Sequence, residues 1–145
     1  MFHIRAATIA AAVFFGQMSL ALAQNAEEKS FSLELNKTED QAGNCLATFK
    51  ATNRMGVRLK ETILQIFVLD QQGITLTDLA LNFREFKPVQ TKFLKFPLPH
   101  ACASISKLHP NGFTKCSGDS DLTEACTEGL RTWSRTKIKF NDTDE

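Results

Sequence analysis

From Phe31 onward the chain alternates between apolar and polar positions. In Phe31-Ser-Leu-Glu-Leu-Asn-Lys37, Phe31, Leu33 and Leu35 fall on one side, the period of a strand buried on one face. A polar run over 38–44 reads as a turn, and Cys45, Ala47, Phe49 and Ala51 then repeat the alternation through Asn53. Leu59 to Leu69 is apolar on both faces. Its β-branched and aromatic content, and its abrupt stop at Asp70-Gln-Gln-Gly73, predict a central strand. Ile74 to Phe83 is expected to return beside it, and Thr91 to Phe96 makes a further strand that Pro97 and Pro99 end. Residues 103–116 predict a strand around Ile105 and Leu108, followed by a turn at Pro110-Asn111-Gly112. Asp119 to Glu124 reads as a helix start, with an oxygen-bearing cap and acids in the first turn; it lacks the ligand ladder of a calcium-binding EF-hand. Thr136 to Phe140 alternates as a last strand. About seven short strands, with one short helix in the loop before the last, describe an all-β antiparallel sandwich.

Residues 1–23 stand apart. His3 and Arg5 precede an apolar run from Ala6 to Phe15, and Ala21-Leu22-Ala23 supplies the small-x-small pattern of a signal-peptidase site before Gln24. Gly16, Gln17 and Ser19 interrupt the run too early for a membrane anchor, which needs about 20 apolar residues. The expectation is a cleaved signal peptide over 1–23 and a single domain over 24–145. That domain would be periplasmic or secreted, with no membrane span after cleavage.

The cysteines agree with export. All four (Cys45, Cys102, Cys116, Cys126) lie after the cleavage site, and an even count in an oxidising compartment favours two disulfides, for which three pairings exist. If each turn reverses the chain, the strands beginning near Cys45 and after Cys102 start at the same end of the sandwich. That order selects Cys45–Cys102 and Cys116–Cys126, since bridged Cα atoms must lie within about 7 Å. The competing use of these residues is a copper or zinc site built from His100, Cys102 and His109 with Cys116.

The run Cys45 to Asn53, then Leu59 to Asp70 and Gln71-Gln-Gly73, resembles a loosely defined set of exported four-cysteine proteins of alphaproteobacteria. Over roughly 31–96 it also resembles the FxLYD-type immunoglobulin-like β-sandwich of bacterial envelope proteins. The signature itself is not matched, because Gln65-Ile-Phe-Val-Leu-Asp70 carries Phe67 and no Tyr. The resemblance implies an immunoglobulin-like fold and an envelope location, and it carries no catalytic residues. The chain has no Tyr, and Trp133 does not lie between two cysteines, so an antibody-type domain is not indicated.

Composition narrows function further. Lys and Arg number 17 against 16 Asp and Glu, and loss of Arg5 with the signal balances them, which argues against a nucleic-acid binder. No Gly-x-Ser-x-Gly elbow, phosphate-cradling glycine loop, dinucleotide fingerprint or His-Glu-x-x-His occurs. No catalytic residue and no cofactor are therefore assigned. The remaining candidate is Arg131-Thr-Trp-Ser-Arg135 with Lys137 and Lys139, a Trp among basic residues suited to an acidic partner or envelope polyanion. A lone Trp in a small sandwich is more often buried than displayed, which would place Trp133 at the core edge with the basic residues solvated around it. The reading is a non-catalytic binding or adaptor protein of the envelope whose partner is a protein or another envelope component. The alternative is metal trafficking through His100, Cys102 and His109.

Overall fold

The computed structural model describes residues 27–143; the signal segment expected over 1–23 lies outside them. Eight strands form two four-stranded sheets. The first sheet runs in the order β5 (Thr91–Leu98), β2 (Asn44–Arg54), β1 (Ser30–Gln41), β7 (Leu130–Ser134), and the second in the order β4 (Thr75–Asn82), β3 (Glu61–Leu69), β6 (Lys107–Ser117), β8 (Lys139–Phe140). A 3₁₀ turn, Cys102–Ser104, precedes β6, and the six-residue helix α1 (Thr123–Glu128) lies between β6 and β7.

On β1 and β2 the inward faces are those that the alternation marks, and on β3, apolar along its length, alternate residues turn inward. Phe31, Leu33 and Leu35 on β1, Cys45, Ala47, Phe49 and Ala51 on β2, and Leu64, Ile66 and Val68 on β3 are fully buried. Phenylalanine dominates the space between the sheets. Phe31 meets Phe86 and Phe113 edge-on with ring centroids 5.1 and 5.3 Å apart, Phe49 meets Phe140 at 5.4 Å, and Phe83 meets Phe96 at 5.1 Å. Edge-to-face contacts place positive ring edges against negative faces and add to the burial of large apolar area. At the margin of this cluster Lys92 turns inward. Its Nζ donates to the carbonyls of Phe83 (3.1 Å) and Glu85 (2.7 Å) and sits 4.3 Å from the Phe86 ring centroid, and burial pulls its pKa down.

Several elements depart from the sequence pattern. Pro97 does not end β5, which continues to Leu98; β5 pairs only with β2, and an edge strand tolerates a residue that cannot donate on its open side. Pro110-Asn111-Gly112 is no turn but lies inside β6. The β3–β6 register shifts twice there, between Ile63 and Leu64 and between Leu64 and Ile66, so β6 takes up extra residues as bulges. Gly112, at φ 97°, supplies the left-handed conformation that such a bulge requires. Pro110 is accommodated because β8 pairs only with Lys107 and Leu108, leaving β6 open on that side further along.

The C-terminal region differs most. Of the strand expected over 136–140 only Lys139–Phe140 forms, as β8 on the second sheet, and β7, which the pattern does not mark, precedes it on the first; both pair in parallel, β7 with β1 and β8 with β6. The sandwich is thus antiparallel except at its two closing strands. Residue Leu122 caps α1 without a side-chain bond, one place after the oxygen-bearing residue that does the work. The Oδ1 of Asp121 accepts from the Thr123 amide at 3.0 Å and from its hydroxyl at 2.7 Å, which lowers the pKa of Asp121. Asp119 instead pairs with Lys60 at 2.8 Å.

Both disulfides are present, Cys45–Cys102 with Cα atoms 4.6 Å apart and Cys116–Cys126 at 6.3 Å. These are the pairs that the strand order selects. The first ties the start of β2 to the segment following β5; the second ties β6 to α1.

Candidate binding face on the outer side of the first sheet

Because Phe31, Leu33 and Leu35 face inward, Glu34 on β1 faces out, and the register places it between Lys50 on β2 and Trp133 on β7. Lys50 in turn opposes Phe93 on β5. One row of side chains, Phe93–Lys50–Glu34–Trp133, therefore crosses the whole sheet, a span of about 14 Å at the usual strand spacing. The two aromatic residues at its ends are exposed, Phe93 by 62% and Trp133 by 44%. Thr91, Thr52, Ser32 and Arg131 make the neighbouring row on one side, with the Thr52 and Thr91 hydroxyls 2.8 Å apart; Lys95, Thr48 and Lys37 make the row on the other.

Glu34 organises the row. Although on the outer face, its side chain is only 5% exposed, covered by the residues that bond it. Its Oε1 accepts from the Asn36 amide at 2.6 Å, and its Oε2 accepts from the Trp133 indole Nε1–H at 2.7 Å and lies 3.3 Å from Arg135 Nε. The Asn36 donor holds the Glu34 carboxyl below its ordinary range, aided by Trp133 and Arg135 and opposed by burial. A charged carboxylate under an indole N–H fixes the ring orientation while leaving its face to solvent. The outer carboxylates are likewise engaged: Arg131 pairs with Glu28 at 2.6 Å, and Lys37 with Glu39 at 2.8 Å. Lys50 and Lys95 form no ion pair among the described residues.

The sequence groups five residues, Arg131, Trp133, Arg135, Lys137 and Lys139, as one candidate surface. The structure keeps Arg131, Trp133 and Arg135 together at the β7 edge of the first sheet and carries Lys137 and Lys139 past the end of β7 to the other sheet. Trp133 is not at the core edge. Leu130 packs against the core and sets the phase of β7, so Thr132 and Ser134 follow it inward while Arg131 and Trp133 point out. Phe93 is a residue that sequence reasoning missed. The signal was the parity of β5, in which Leu94, Phe96 and Leu98 share the inward face and leave Phe93 outside.

The metal alternative fares differently. The sulfur of Cys102 is bonded to Cys45 and that of Cys116 to Cys126, and among the described residues no group of three His, Cys, Asp or Glu side chains gathers to hold an ion. No described helix is long and apolar enough to cross a membrane. In comparisons with known proteins, no family model, curated protein or solved structure matches the chain.

Proposed function

We propose that this chain is an exported, non-catalytic β-sandwich that binds an acidic component of the cell envelope through the outer face of its first sheet. The observation that carries the reading is Trp133, exposed yet held in one orientation by Glu34, at one end of a row that ends in exposed Phe93. Between the two exposed aromatic residues lie Lys50, which forms no ion pair among the described residues, and Glu34, whose charge Arg135 meets; the row thus combines apolar area with positive charge, the composition of an interface hot spot for an anionic partner. Two disulfides support an oxidising compartment, as does the signal pattern of residues 1–23, and the two together support a periplasmic or secreted location. The strand order also supports an immunoglobulin-like assignment. The chain passes from β2 to β3 in the other sheet and back from β4 to β5, as in sandwiches of that kind.

The test is affinity capture of the envelope component by the oxidised protein, beside Trp133→Ala and Phe93→Ala variants, with a thermal and urea melt of each. The expected result is that both variants fold, Trp133→Ala loses about 1–2 kcal/mol of stability through its bond to Glu34, and each loses about 2 kcal/mol or more of binding. Capture should weaken as salt rises. Undiminished capture by both variants would overturn the assignment of this face.

A further inference from the structure

We propose that the cleft at the β8 end of the second sheet is a binding site for a tetrahedral oxyanion, a phosphate or sulfate group. The cleft, of about 830 Å³, is lined by Lys107 of β6, Lys137 and Lys139, with Ile105 and Ile138 among its apolar lining, and by no carboxylate. It is separate from the row on the first sheet and does not rest on the function proposed for that row.

The placement of the lysines carries the argument. Lys107 and Lys139 are direct register partners on the parallel pair β6–β8, a ladder of only two residue pairs. Like charges directly opposite each other across a strand pair are destabilising, and so short a ladder has little to offset them. None of the three lysines forms an ion pair among the described residues. The Lys107 ammonium donates to the Thr143 carbonyl, a neutral acceptor that leaves its charge in place. Of the carboxylates beside the lining residues, Asp40 accepts from the Cys102 amide at 2.9 Å and Asp70 accepts from the Gln72 and Ile74 amides, each at 2.9 Å. An oxyanion between the ammonium groups would turn their repulsion into charge-assisted hydrogen bonds.

The base of the cleft is fixed. The Ser106 amide donates to the Leu69 carbonyl at 2.9 Å, the Lys139 amide donates to the Ser106 carbonyl at 3.0 Å, and Cys102 on the rim is bridged to Cys45. The Ser106 hydroxyl is committed to the carbonyls of Leu69 and Asp70, which leaves the lysines and the Thr38 hydroxyl as donors for a ligand. Ile105 and Ile138, each nearly buried, give the cleft an apolar side next to the charge. That combination suits an anion on its own or a phosphoryl or sulfuryl group carried on an organic body.

The oxidised protein is titrated with sodium phosphate at constant ionic strength, and amide chemical shifts are followed against a sodium chloride control. The expected result is saturable shifts at Ser106, Lys107 and residues 137–139. A Lys137→Gln/Lys139→Gln double variant should bind at least about tenfold more weakly, the scale of lost charge-assisted bonds. It should melt no lower than the parent, because it removes the opposed charge, and Lys60→Gln, at a lysine already paired with Asp119, should leave affinity unchanged. Phenyl phosphate distinguishes the source. Tighter binding than inorganic phosphate supports an organic carrier of the group, and equal binding supports the free ion. Shifts that never saturate, or parental affinity in the double variant, would overturn the proposal.

Discussion

Glu34 and Trp133 oppose each other across the parallel pair β1–β7, and the indole Nε1–H closes on the carboxylate at 2.7 Å. This pair joins the first strand of the fold to a late one, and it sets the direction in which the only Trp of the chain faces. It also makes one acid a reporter for the whole face, because Asn36 and Arg135 engage the same carboxylate.

The first prediction follows from that carboxylate. Its pKa is lowered in the folded chain from an ordinary 4.5, by the Asn36 donor above all. The charged form is therefore favoured by folding, and its stabilisation is complete above the unfolded value and lost as pH falls through the lower folded one. Urea unfolding of the parent and of Glu34→Gln should differ most near neutral pH, and the difference should shrink as pH drops below about 4.5. A pH-independent difference between them would show that the carboxylate charge contributes nothing.

Asn53 should prove one of the most sensitive polar positions. It is fully buried at the end of β2, its Nδ2 donates to the carbonyls of Val57 (2.8 Å) and Lys87 (3.1 Å), and its Oδ1 accepts from the Met55 amide (3.0 Å). One side chain thus satisfies backbone groups of two separate loops. Asn53→Ala should cost about 3 kcal/mol in urea unfolding, since it leaves those groups without partners. Asn53→Asp should not rescue it at neutral pH, because a carboxylate offers no donor to the two carbonyls.

Val89 should be improvable. Lys87-Pro88-Val89-Gln90 closes a turn through the Gln90 amide to the Lys87 carbonyl at 3.2 Å, and Val89 sits at φ 61° with 68% of its surface exposed. That is the third place of a type II turn, where glycine is favoured and a β-branched residue is strained. Val89→Gly removes strain and almost no packing. It should raise stability by about 0.5–1 kcal/mol after the added flexibility of the unfolded chain is counted, visible as a higher melting temperature.

The two bridges should contribute unequally. Cys45–Cys102 spans 57 residues and Cys116–Cys126 spans 10. In the chain-entropy account these give about 4 and about 2.7 kcal/mol. Paired Cys→Ala replacements, measured in urea, should reproduce that order, and peptide mapping without reduction should recover both linked pairs.

The strands that read clearly in the sequence are those whose inward residues are mostly apolar. β1 and β2 follow from Phe31 and Cys45 and their neighbours at even spacing, and β3 from its β-branched and aromatic run. β7 was illegible because only Leu130 of its inward residues is strongly apolar; Thr132 and Ser134 carry no signal, and Trp133 draws attention to the wrong face. The Pro-Asn-Gly run was misread because its chemistry is the same in a turn and in a bulge, and only the partner strand β3 distinguishes the two. For the binding face, the residue types near Trp133 were visible. Their companion Phe93 lies 40 positions away along the chain and joins them only through two intervening strands.

The parallel pairing of β1 with β7 also has a mechanical meaning. Five residue pairs, from Phe31↔Leu130 to Leu35↔Ser134, lie side by side with both strands running the same way. Tension applied between the two ends of the domain pulls β1 and β7 along their length in opposite senses. Their hydrogen bonds are then loaded in shear and must fail together, whereas bonds peeled from one end fail in turn. Beyond that point the Cys45–Cys102 link keeps the loop it encloses from extending. A protein tethered at one terminus and gripping a partner on its β7 face would hold under load, and would yield only the chain outside the bridged loops when it gave way.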